Sequence, residues 1–187
     1  GGPYNFNGQK RTYPDVKLVY WCGGNPFHHH QDLNRLAKAW QYPETVIVHE
    51  PWWTATAERA DIVFPATTQF ERSDIGWAKG DPYLFYMPQM IPPVGLAKDD
   101  YDIFSELSKK LNCEENFTEN QSSEEWIQNI YDKFYTHAKS QGINVADLQT
   151  LKEKNFERMA IDLDGEDYVP FKDFRDDPLK YPLGTPS

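Results

Sequence analysis

VKLVYWCGGNPFHHHQDLNRLAKAW (residues 16–40) decides the fold. Its first part, VKLVYWC (16–22), is a short continuous apolar run, the pattern of a strand buried on both faces. Gly23, Gly24 and Pro26 stop that run. DLNRLAKAW (32–40) then places Leu33, Leu36, Ala37 and Trp40 on one helical face. Asp32 falls in the first turn, where the helix dipole favours an acid.

Working outward, TVIVHE (45–50) reads as a second buried strand. TATAERA (54–60) reads as a short helix with Thr54 as its cap, and DIVFP (61–65) as a third strand stopped by proline. Strands alternating with helices predict an α/β fold: a doubly wound, mostly parallel sheet flanked by helices. Ligands of such sheets lie beyond the carboxyl ends of the strands. Three loops fall there, 23–31, 49–54 and 65–76, all rich in polar or small residues.

Residues 80–96 are rich in Pro, Tyr and Met and predict an extended segment with one edge strand, since the prolines oppose a helix or a central strand. A helix is expected at 99–112, with acids first and lysines last. Another is expected at 122–142, capped by Ser122 or Ser123 and stopped by Gly142, with Trp126, Ile127, Ile130, Tyr131 and Phe134 as its apolar stripe. A shorter helix follows at 144–156, and the tail beyond residue 160 is acidic and Pro-rich. The expected organisation is an α/β core over 1–112 and a helical extension and linker over 113–187.

The 187 residues suffice for a sizeable core, and 39% are hydrophobic. A net charge of -10 argues against a surface that holds nucleic acid through its phosphates. No apolar run approaches the roughly 20 residues of a membrane helix, and the first residues carry no hydrophobic signal core. Of the two cysteines, Cys22 is expected to be a buried free thiol at a strand end; Cys22 and Cys113 form no CxxC pair.

The triplet His28, His29 and His30 invites a metal reading, but three adjacent side chains in a turn diverge and no partner set lies close in sequence. A polar turn is the expectation, with no metal. Gly23–Pro26 reads either as a tight turn or as a backbone that lets a phosphate or planar ring approach closely. Glu50 and Arg72 carry two readings of equal weight. In one, Glu50 accepts from guanine N1–H and N2–H2 and Arg72 pairs with a phosphate. In the other, Glu50 caps a local group and Arg72 is a surface ion. GxGxxG, GxSxG and GxxxxGK[ST] are absent, and no nucleophile–base pair stands out, so no catalytic residue is assigned.

LVYWCGGNPFHHHQDLNRLAKAW, PETVIVHEPWWTATAERADIVFPATTQFERSDIG and AKDDYDIFSELSKKL together closely resemble the molybdopterin oxidoreductase superfamily, in its dimethyl sulfoxide, trimethylamine N-oxide and biotin sulfoxide reductase branch. The resemblance is densest over 15–111. It implies a large multi-domain enzyme that holds molybdenum between two molybdopterin guanine dinucleotides. This segment would be a central, Rossmann-like domain holding the nucleotide end of one of them. Gly24, Asn25, His49, Glu50, Arg72 and Asp100 are carried over as cofactor contacts, with His28 and Gln31 beside them. Asp100 rests on the resemblance alone. The serine that ligates the metal in this branch lies in an earlier domain.

The implied partners are the remaining domains of the parent enzyme, an S- or N-oxide substrate, and an electron donor such as a c-type cytochrome. The implied compartment is periplasmic, with the cytoplasm as alternative. The chain is expected to be an excised piece, inactive by itself. The competing expectation is a free-standing nucleotide-binding or chaperone-like module derived from the same domain.

Overall fold

The computed structural model describes residues 2–78, 81–159 and 169–182. In chain order the elements begin with β1 (Pro3–Phe6), β2 (Gln9–Thr12), β3 (Leu18–Cys22), α1 (Pro26–His29), α2 (Leu33–Ala39) and β4 (Thr45–Glu50). A 3-10 turn (Ala57–Arg59), β5 (Ile62–Pro65), β6 (Asp74–Gly76) and β7 (Tyr83–Met87) follow. Then come α3 (Asp100–Lys110), α4 (Glu114–Thr118), α5 (Ser123–Ser140), α6 (Leu148–Lys154), β8 (Phe156–Arg158) and α7 (Lys172–Asp176). They divide into two compact units, Lys17–Ile161 and a smaller one of Gly1–Val16 with Asp162–Ser187.

In the larger unit β3, β4 and β5 form a parallel sheet in that order. β4 lies in the middle, with Val46, Val48 and His49 buried. Because side chains alternate along a strand, Val19, Trp21, Val46, Val48 and Val63 meet Phe27, Leu36, Ala37, Trp40 and Ala57. The alternate residues Tyr20 and His49 meet Phe104 of α3. The sheet is thus flanked by helices on both faces.

The parallel sheet and its helices match the α/β expectation, while the strand reversal of a doubly wound sheet is not among the described residues. The three strands follow chain order without reversal, and among the described residues none pairs with the far edge of β3. That edge position corrects two expectations. β3 is only partly buried, with Leu18 exposed, and Cys22 is an exposed free thiol rather than a buried one. In α2, Asp32 stands one residue before the helix as its cap, accepting from Arg35 N–H at 2.9 Å. Leu33 faces solvent, leaving Leu36, Ala37 and Trp40 to pack.

The second sheet is antiparallel, in the order β6-β7-β8. β7 is its central strand and Leu84 is buried, so the expectation of an edge strand is corrected. Pro82 and Pro88 flank the strand instead of interrupting it, and every ladder N–H between them is free to pair. Leu84 joins Ile127, Tyr131, Ala138, Val145, Leu148, Leu151 and Met159 in one core beneath this sheet. Ile130, expected in the stripe of α5, is exposed.

Local chemistry explains the helix ends here. Ser122 and Glu125 form a reciprocal capping box at the start of α5. Gly142 takes φ +74° beyond its end, and Ile143 N–H donates back to Ala138 O. Asp147 caps α6, and Asn155, at φ +65°, ends it. The chain therefore enters β8 at Phe156, a residue expected in the helix.

In the smaller unit β1 and β2 form a hairpin that the sequence reading left out. Asn7 and Gly8, both at positive φ, make its two-residue turn, and Tyr4 stacks on Tyr13 at 4.0 Å. The expected linker lies partly outside the described residues, and α7 is its described helix. No helix among the described residues is long and apolar enough to cross a membrane.

Candidate functional site

Parallel pairing in register brings the strand ends level: Cys22 lies opposite His49, and Glu50 opposite Pro65. The three polar loops therefore leave the same edge of the sheet. Just past β5, Ala66 bridges Lys98 in parallel, and Thr67 donates to Asp99 Oδ1 at 2.6 Å. These contacts fix the N-terminus of α3 at that edge as well.

The first loop turns on Gly23 and Gly24, at φ +80° and +73°, with open space where a Cβ would stand. Trp21 Nε1 donates to the Gly24 carbonyl at 3.2 Å. Asn25 Oδ1 accepts from the hydroxyl of Thr56, a side chain wholly removed from solvent. Thr56 also accepts from Phe27 N–H, so it ties the first loop to the second. Pro26 opens the single turn of α1, where its missing N–H costs nothing. That turn leaves the three histidines exposed. The ring of His28 lies edge-on to that of His29, and Gln31 is exposed without a side-chain hydrogen bond.

The second strand end is a connected group. His49 Nδ1 lies 2.7 Å from Asp100 Oδ1, and its Nε2 lies 2.8 Å from the Tyr20 hydroxyl. The rings of Tyr20, Phe64 and Phe104 enclose the imidazole, whose side chain is 1% exposed. Asp100 is 53% exposed. Burial, then the nearby Cys22 and Asp100, push the Tyr20 phenol above its usual range. Partial desolvation at the strand end, then Asp100, raise the exposed Cys22 thiol likewise. Glu50, half-buried, accepts from Thr54 Oγ1 at 3.0 Å, and Thr54 also accepts from Ala57 N–H. A 3-10 turn thus stands where a short helix was expected, and its cap position is Thr56, which makes no capping bond, rather than Thr54.

The third loop is braced by Glu71, which is buried. Its carboxylate accepts from Thr68 N–H, Thr68 Oγ1 and Val94 N–H at 2.8, 2.7 and 2.6 Å. Those bonds from the Thr68 backbone, the Thr68 hydroxyl and Val94 hold its pKa below the ordinary glutamate range. Arg72 pairs with Asp74 at 3.1 Å, a half-exposed pair of little energetic weight. Arg72 and Asp100 line one cavity of about 220 Å³. A larger one, about 610 Å³, opens at the ends of β4 and β5 between Trp52, Phe70 and Val94. Among the described residues no group of three His, Cys, Asp or Glu is arranged to hold a metal ion.

Of the residues singled out by sequence, the structure joins His49 to Asp100 and places Arg72 and Asp100 on the lining of one cavity. Gly24, Asn25 and Glu50 lie at the same sheet edge, while His28 and Gln31 lie apart from these bonds. Tyr20, Thr56 and Glu71 were missed. Tyr20 had a readable signal, a hydroxyl two residues before the end of an apolar run, on the same strand face as that end. Thr56 and Glu71 act through loop contacts that no local pattern announces.

The family model described as molybdopterin oxidoreductase matches residues 5–110. The chain is 44% identical over 188 residues to the biotin sulfoxide reductase of Cereibacter sphaeroides, covering all of this chain and 25% of that protein. It is 44% identical over 190 residues to the dimethyl sulfoxide/trimethylamine N-oxide reductase of the same organism, covering 100% and 23%. It is 38% identical over 194 residues to trimethylamine-N-oxide reductase 1 of Escherichia coli O157:H7, covering 100% and 22%. The chain thus spans about a quarter of the length of the curated relatives it matches. Among solved structures, acetylene hydratase from Pelobacter acetylenicus superposes with a TM-score of 0.56 at 20% identity, over 76% of this chain and 18% of that one. That likeness concerns the fold.

Proposed function

This chain belongs to the molybdopterin oxidoreductase family, and from that membership we propose that it is the nucleotide-holding segment of a molybdenum-dependent S- or N-oxide reductase. Its ligand is the guanine nucleotide end of a molybdopterin guanine dinucleotide. One observation carries this reading: three loops and the start of α3 converge at one edge of a parallel sheet, tied together through Asn25–Thr56, His49–Asp100 and Thr67–Asp99.

The residues present fit such a group. Gly23 and Gly24 leave open space beside the backbone at a strand end, where a phosphate can come close. Glu50 and Asp100 offer carboxylates to the paired N–H donors of guanine, which adenine lacks. Arg72 is the cation lining the cavity it shares with Asp100, and it exchanges Asp74 for a phosphate oxygen. Asn25, held by Thr56, orients the first loop. When bound, the cofactor supplies the two-electron chemistry that removes oxygen from the substrate. This chain binds and orients, and it contributes no reacting group.

In the same reading, further strands of a doubly wound sheet pair with the free edge of β3. Residues 1–112 form the cofactor core and 113–187 the extension, and the parent works with a separate electron donor in the periplasm. Alone, the chain has no reductase activity.

Calorimetric titration with GMP and GDP, with AMP as control, tests the proposal. Guanine-selective binding that weakens about tenfold or more in Glu50→Ala or Asp100→Asn is the expected result. Equal affinity for AMP and GMP would refute it.

A further inference from the structure

We propose that Tyr20 and His49 are positioning residues, a strut of a half-buried phenol and a buried imidazole that fixes the Asp100 carboxylate in the orientation that favours guanine over adenine. This rests on the reading of Asp100 as a nucleotide contact. It assigns a role to Tyr20, which neither sequence patterning nor resemblance singled out, and a different one to His49.

The chemistry follows from donors and acceptors. An ionised carboxylate only accepts, so the imidazole proton facing Asp100 sits on Nδ1. In the neutral ring Nε2 is then an acceptor, and the Tyr20 hydroxyl donates to it. A phenol is protonated at neutral pH, and burial raises its pKa further. The ring cannot turn over without losing both bonds, and Tyr20, Phe64 and Phe104 wall it in. His49 therefore has no nitrogen left for a ligand. What reaches the sheet edge is Asp100, half exposed, with one of its two oxygens tied to the ring. A carboxylate pinned in this way presents acceptors in a fixed direction. Guanine N1–H and N2–H2 match them, whereas the adenine N1 lone pair opposes them.

Tyr20→Phe removes the donor to Nε2 while keeping the ring that packs on Phe104. Nε2 then loses that donor, and the imidazole keeps only its bond to Asp100, so the ring is no longer held from both sides. The expected result is a cooperative melt, a loss of about tenfold in GMP affinity, a GMP-to-AMP ratio falling towards one, and a change in the His49 ring 15N shifts. His49→Asn, whose side-chain amide keeps a donor near the Nδ1 position, restores part of the selectivity, and His49→Leu does not. A folded Tyr20→Phe chain with unchanged GMP affinity and unchanged His49 shifts would overturn the strut.

The two proposals fail separately. A native chain that binds no guanine nucleotide removes the nucleotide reading. The strut is then judged by the native 15N spectrum alone, where a proton on Nε2 instead of Nδ1 overturns it.

Discussion

Glu71 shows how much one side chain carries at the sheet edge. Its carboxylate holds the turn at Thr68 and the backbone at Val94, while its own carbonyl accepts from Gln89 Nε2 at 2.9 Å. Three segments are thus joined at a residue that reads in sequence as an ordinary surface acid. Glu71→Gln keeps the shape but replaces one acceptor oxygen by a donor, facing groups that are themselves donors. We expect a melting temperature lower by several degrees, measured by calorimetry at pH 7, with the difference shrinking as pH falls through the lowered value of the native carboxylate. Asp100 presents the reverse case: its bond to His49 joins residues 51 positions apart. That pairing was beyond any local reading, and the resemblance alone had marked the residue.

Among the elements, legibility followed the source of the stabilising contacts. β4 was read at its observed bounds because an uninterrupted β-branched run fits only a central strand. α5 was read because its capping box and terminal glycine are local signals. β7 was misread because a flanking proline and an interrupting proline look alike until pairing is known. β8 was missed because three residues following a helix carry no periodicity. The hairpin of β1 and β2 did announce itself through Asn7 and Gly8. The element most dependent on distant contacts is β7, whose Leu84 packs on α5 and α6. Leu84→Ala should cost about 2–5 kcal/mol in urea unfolding, the range for a cavity in a packed core. A loss below 1 kcal/mol would mean that this core is not closed.

For the whole molecule the balance of charge governs the response to acid. Glu71, Glu125 and Asp147 are held below the ordinary carboxylate range by backbone and hydroxyl donors. Each therefore stabilises the fold above the unfolded value of about 4, and that contribution disappears as pH falls through the lowered value. Asp102 is shifted the other way, by burial first and then by Asp99 and Glu106. An acid raised in the folded state weakens it at neutral pH and relieves it as pH falls through the raised value. The net charge of -10 adds self-repulsion that acid also reduces. Thermal melts should thus show a shallow gain from pH 7 towards about 5 and a steep loss below about 4. A steady decline from pH 7 downwards would contradict this.

The antiparallel sheet carries a consequence for synthesis. β7 pairs with β8 across a long sequence interval, Tyr83 opposite Arg158. A ribosome delivers the chain from its N-terminus, so the parallel strands can close while the rest is still being made. The second core cannot, because its last strand has yet to emerge. Leu84 and its neighbours wait in the growing chain as an exposed apolar segment, and the interval during which a chaperone would find them is set by the rate of translation.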